Sequence, residues 1–237
     1  MSKELTTWEK RLADDAKDVA KLEQPTTTKI SLRNGILSID DQPLEGNKMM
    51  CVIVGALHEQ VKYNEAWSPD KVIPPACYAL HAEPAAKGAM APDDNVPVPL
   101  NEDCNTCQLR QFGKNREKPE CQSRRRIAVV AWNSDNTLAD DIYTMSFPQY
   151  SSGKQFSAYA NEVSLREQRP PWGVITEVSA MPHPKWQFLV QYETKGLVPD
   201  DVMGAVYVKV DAAQAALSMP YDMTIKDEAI PSVKGTN

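Results

Sequence analysis

Four of the five cysteines, Cys77, Cys104, Cys107 and Cys121, lie in one stretch ending at Arg126. Zinc takes four thiolate or imidazole ligands in a tetrahedron, and two residues between cysteines let one tight turn supply two of them. Cys104-Asn105-Thr106-Cys107 has that spacing, and Asn-Thr is favourable turn chemistry. Pro75 and Pro119, each two residues before a cysteine, favour extended entry to a ligand position. The pattern predicts a four-cysteine zinc site that shapes a loop. Four thiolates leave no open coordination position, so such a metal would be structural. His81, four residues after Cys77, is the substitute ligand, or else a plain surface histidine. Metal-free reduced thiols and an iron–sulfur cluster stay open on spacing alone. Cys51 stands apart in an apolar run and reads as a core residue.

The same stretch is basic. Between positions 110 and 126, Arg110, Lys114, Arg116, Lys118, Arg124, Arg125 and Arg126 oppose Glu117 and Glu120, giving +5. The chain as a whole carries −6, which leaves −11 for the remainder. A basic island on an acidic body fits a localised anion site better than general nucleic-acid coating, although a solvated face would look the same. Tyr63, Trp67, Tyr78 and Phe112 are aromatic candidates for stacking on unpaired bases. Trp132 and Tyr143 are further candidates, and for these two and Phe112 core packing is at least an equal reading. Arg124, Arg125 and Arg126 lead into a strand, so they must alternate between faces, and at most two can serve one groove.

The elements that must position these groups follow from pattern. Residues 5–23 have helical apolar spacing and stop at Pro25. In 29–40, two alternating runs flank Asn34-Gly35, the signature of a tight hairpin. Residues 48–57 and 127–133 read as strands buried on both faces, and 142–147, 174–180 and 186–192 as further strands. Residues 154–167 predict a helix with Phe156, Tyr159, Val163 and Leu165 inward, and 200–217 a second, although Val-Tyr-Val-Lys-Val within it also suits a strand. Residues 58–103 are proline-rich and poor in pattern, the kind of long loop that needs something to hold it. About seven strands and two or three helices predict a mainly β, α+β chain, a small twisted barrel with a long inserted loop. The divisions are an N-terminal helix over 1–25, a domain over 26–220 carrying the insertion 74–126, and a mobile tail over 221–237.

With 237 residues, 42% hydrophobic and 24% charged, the chain has the composition of a soluble globular protein. Its longest apolar run, Met49–Leu57, is too short to span a bilayer, and the N-terminus has no apolar signal core. A cytoplasmic protein with no membrane association is expected, where disulfides are disfavoured. The acidic pairs Asp40-Asp41, Asp93-Asp94, Asp140-Asp141 and Asp200-Asp201 are the groups a metal-dependent nuclease could use, but each falls at a strand end, loop or helix start. No hydrolase, P-loop, zinc-protease or deaminase motif is present, so the expectation is a binding protein and not an enzyme.

KISLRNGILSID, MMCVIVGAL, PPACYAL, CNTCQLRQFG and PECQSRRRIAVV, in that order, resemble a group of bacteriophage single-stranded DNA-binding proteins. Those proteins have an OB-like barrel with a cysteine-bearing insertion, and the likeness spans most of residues 28–220. The resemblance implies an OB-type fold, a structural zinc on Cys77, Cys104, Cys107 and Cys121, and single-stranded DNA binding in phage replication or recombination. It also implies replication or recombination proteins as partners in the host cytoplasm, and it is compatible with a homo-oligomer. The alternative is a module whose cysteine loop docks on a replication or host protein.

Overall fold

The computed structural model describes residues 28–65, 73–113 and 118–223. The chain is mainly β. Nine strands, β1 (Thr28–Arg33), β2 (Ile36–Ile39), β3 (Gln42–Pro43), β4 (Lys48–Lys62), β5 (Cys77–His81), β6 (Gln122–Trp132), β7 (Leu138–Pro148), β8 (Val174–His183) and β9 (Gln187–Leu197), form one sheet. Their order is β3-β2-β1-β7-β6-β4-β8-β9, with β5 paired to β4 off this path. The sheet curls into an open half-barrel. Two helices, α1 (Ser152–Arg166) and α2 (Met203–Leu217), cover its two faces.

β4 is the axis of the sheet. Its 15 residues pair with β6 along one edge, and with β8 and then β5 along the other. Side chains on a strand alternate between faces, and both faces here are buried. Cys51 and Ile53 enter the core under α1 with Phe156, Tyr159 and Val163, whereas Val52 and Val54 enter the core under α2 with Val206, Ala213 and Leu217. Ile127 and Val129 of β6 join the first core, Ala128 and Val130 the second. This explains why both strands read as unbroken apolar runs.

The alternation breaks once. Ile53 pairs with Val129 but Gly55 pairs with Ala128, so β4 has one extra residue, Val54, in a β-bulge. Beyond it the odd positions face α2, as Leu57 shows by joining that helix's core. Gly55 lets α2 approach closely there: a Cβ would stand 2.8 Å from Leu217 Cδ1, and that methyl would have to shift.

The first hairpin forms as predicted, with Asn34 at φ 51° and Gly35 at φ 79° between the paired residues Arg33 and Ile36. The Phe188 ring of β9 lies against Gly35, so closely that a Cβ would fall 2.0 Å from a ring carbon. Asn47 ties the hairpin to the sheet, its amide donating to Gly35 O at 2.8 Å and Ala180 O at 2.9 Å.

Several expectations need correction. Residues 58–103 are not irregular throughout: β4 continues to Lys62, and Cys77–His81 returns antiparallel along it as β5. Leu165 is 72% exposed rather than inward, because the face of α1 that meets the sheet is Phe156, Tyr159 and Val163. Tyr221, placed in a mobile tail, is docked on the sheet. Residues 200–217 do form a helix, from Met203 onward. The predicted helix over 5–23 and the tail from residue 224 lie outside the described residues.

Candidate functional site

The insertion between β4 and β6 carries β5 and two short 3-10 turns, Ala85–Lys87 and Gln108–Arg110. It has a small core of its own, Ala79, Ala85, Met90 and Cys104. Backbone bonds seat three of the cysteines: Cys104 N donates to Met90 O at 2.9 Å, Cys121 N to Leu109 O at 2.8 Å, and Cys107 O accepts from Arg110 N at 3.2 Å; Cys77 is seated by its pairing with Lys62 of β4. Asp103 shapes the turn between the paired cysteines by accepting from Asn105 N at 2.7 Å, and Asn101 braces it by donating to Asp103 O at 2.7 Å.

All four cysteines line one cavity of about 20 Å³, with Gln60, Lys62 and Arg110. That is room for a single water-sized sphere. All four thiols are free. Burial and the neighbouring Cys77 and Cys107 push the Cys104 thiol up to about 11, while Arg110 opposes the shift. Burial, then the other three cysteines, push Cys121 up to about 12. Four thiols are the donor type that a small thiophilic cation takes. The thiols are not closed to ligating distances, since no set of three or more His, Cys, Asp and Glu side chains stands in metal-holding geometry among the described residues. His81 is not in the cavity wall; its Nδ1 accepts from Glu83 N at 3.0 Å in its own turn. Cys51 is a core residue, its thiol pushed up to about 12 by burial alone.

The arginine triplet does not form one basic patch. Arg124 and Arg126 point to the α2 side, where the bulge has also turned Glu59. Glu59 has no exposed surface, and its carboxylate meets Arg126 Nη2 at 2.6 Å and Arg124 Nε at 3.5 Å. It also accepts from Ser146 Oγ at 2.5 Å and Tyr221 OH at 2.6 Å. Burial would raise its carboxyl pKa, but Arg126 and Arg124 and the two hydroxyl donors hold it below the ordinary value. Arg126 donates in addition to Leu217 O and Met219 O, both at 3.0 Å, which satisfies carbonyls at the end of α2. Arg126 is 8% exposed and therefore is not a nucleic-acid contact. Tyr78 is corrected in the same way: it is 1% exposed, edge-on to Tyr221 at 4.9 Å, with its hydroxyl bonded to Asn95 Oδ1.

Arg125 faces α1. Its guanidinium lies 5.3 Å from the Phe156 ring centroid and contacts His58 Nε2. Burial first, then the positive charges of Arg125, His81 and Lys87, push His58 down to about 4. A neutral His58 can accept from Arg125, and a protonated one would set two cations together. An unfolded histidine titrates near 6.5, so between about 6.5 and 4 the unfolded chain binds the extra proton. Stability should therefore fall as pH drops through that window. Urea midpoints measured from pH 7 to pH 4 should show this slope, and His58→Gln should flatten it; an unchanged slope would assign it to other groups.

Four predicted contacts stay near the surface. Lys118 and Phe112 are exposed, and Arg110 and Tyr63 are half-buried, Arg110 in the cysteine cavity wall and Tyr63 against Val61 and Tyr78. Lys114, Arg116 and Trp67 lie outside the described residues. Phe112, 55% exposed, meets Tyr150, 45% exposed, edge-on at 5.9 Å between ring centroids. Tyr150 comes from the corner between β7 and α1, and sequence reasoning did not select it. The buried Glu59 and docked Tyr221 were missed as well. A charged residue at a strand position bracketed by buried apolar ones was the available signal for Glu59.

No family model, curated protein or solved structure matches the chain. Among the described residues, no helix is long and apolar enough to cross a membrane.

Proposed function

We propose that the protein binds single-stranded DNA through an OB-type half-barrel whose insertion is pinned by zinc on Cys77, Cys104, Cys107 and Cys121. The observation that carries the binding reading is the exposed Phe112–Tyr150 pair, whose Phe112 belongs to the basic stretch of the insertion in sequence. Two large aromatics that touch each other and leave half their surface to solvent are stacking platforms, and a base stacked on one is worth about 1–3 kcal/mol. Lys118 and Arg110 flank Phe112 in sequence and would supply charge for phosphates. The zinc reading is supported by four free thiols around a one-sphere cavity. Zinc there would contribute folding energy and no chemistry, since all four positions are protein thiolates. The likeness to phage single-strand-binding proteins supports the same role in replication or recombination.

Anisotropy titration of a labelled single-stranded oligonucleotide should show binding that weakens linearly in log–log terms as salt rises. Phe112→Ala should weaken it about tenfold at fixed salt, within the range expected for one stack. Absence of binding to single strands at low salt would overturn the reading. A second reading, docking of the insertion on a protein partner, is favoured by Val98 and Leu100, 73% and 45% exposed. Co-precipitation that survives removal of nucleic acid and is lost on Val98→Asp would favour it.

A further inference from the structure

We propose that the cleft between the two hairpin tips is a pocket for one unpaired nucleobase, an inference that rests on the single-strand-binding reading. The cleft has a volume of about 230 Å³ and lies between the β1–β2 turn, the β7–α1 corner and the β8–β9 turn. That is more than ten times the space inside the cysteine cavity, and it is room for a flat aromatic ring.

Its walls carry the groups a base needs. Trp186, 39% exposed, offers an indole face for stacking. Asn34 and Gln187 bring side-chain amides that take no partner among the described residues. Each amide holds both a donor and an acceptor, which matches the mixed pattern on a base's pairing edge. Gln187 sits at φ 64°, a conformation that favours glycine, so an amide is kept where glycine would be easier. Phe188 pressed on Gly35 fixes the distance between the two tips, so the pocket is formed before any ligand arrives. Lys185, with Nζ 4.9 Å from the Trp186 ring centroid, supplies a cation for the adjoining phosphate. Ser151 in the wall directly follows Tyr150, so a strand stacked on the Phe112–Tyr150 pair reaches the pocket within the next few nucleotides.

The test is anisotropy titration of a short oligothymidylate against the full chain, its Trp186→Leu variant and its Gln187→Gly variant. Trp186→Leu should weaken binding roughly 5- to 150-fold, the equivalent of one base stack. Gln187→Gly relieves the left-handed backbone, so it should unfold no more readily than wild type while binding several-fold more weakly. That combination separates loss of a ligand contact from loss of the fold. If wild type binds and both variants bind equally well, the pocket is wrong and the single-strand reading stands. If wild type binds no single strand at low salt, both are wrong.

Discussion

Replacing Glu59 with alanine should cost about 3–5 kcal/mol of folding stability, the range for removing one partner of a buried ion pair. The loss follows from what would be left behind. Arg126, 8% exposed and walled in by the end of α2 and Tyr221, would keep its charge with only carbonyls as partners. Arg124 would lose its carboxylate and retain Ser146. Glu59→Gln keeps the shape and loses the charge, so it should fall between wild type and alanine. Joint replacement of Glu59 and Arg126 by leucine and methionine should recover much of the loss, because the desolvation of both charges disappears together. Urea unfolding of the three variants measures this, and an alanine variant within 1 kcal/mol of wild type would refute it. The pH dependence has a definite sign. The folded carboxyl pKa is depressed, so the stabilisation is complete above the unfolded value of about 4.5 and is lost as pH falls through the folded one.

Cys104→Ser should abolish zinc binding and release the insertion. Wild-type protein purified under reducing conditions should carry about one zinc per chain by metal analysis, and the variant none. Structural zinc in small domains contributes on the order of 10 kcal/mol of folding free energy, and here that energy would act on a segment whose own core is four residues. The variant should be cut by protease between β5 and β6 while the rest of the sheet resists. Chelation of wild type should reproduce the cleavage pattern. Cys51→Ser separates the two sulfur environments: it should leave zinc content unchanged and lower stability by burying a hydroxyl in the core under α1. Metal-free wild type whose insertion resists protease would refute the zinc reading.

Much of the fold was legible because the signals are local. Asn34-Gly35 specifies its turn through backbone conformation, and the double-sided burial of β4 and β6 is written as unbroken apolar runs. The convergence of the cysteines was half legible. C-x2-C is a short-range feature, but Cys77 reaches the cavity only because β5 pairs back on β4, Cys77 opposite Lys62. That pairing hid among prolines. The arginine triplet was misread because its partner is remote: Glu59 precedes Arg126 by 67 positions and Tyr221 follows Glu59 by 162. Net charge counts could not reveal that two of the cations are spoken for inside the molecule.

The extra residue at Val54 acts on β4 much as a frameshift acts on a message. Upstream of it odd positions belong to one core, and downstream they belong to the other. Delete that one residue and every side chain from Leu57 to Lys62 changes sides together. Glu59 would leave the two arginines that neutralise it, and Gln60, which accepts from Ser123 Oγ at 3.1 Å in the wall of the cysteine cavity, would turn away from the thiols. Single-residue insertions and deletions are usually harmless in loops and costly in strands. In this strand the cost would be shared by two neighbouring features, the buried ion pair and the cysteine cavity, so both depend on the same count of residues.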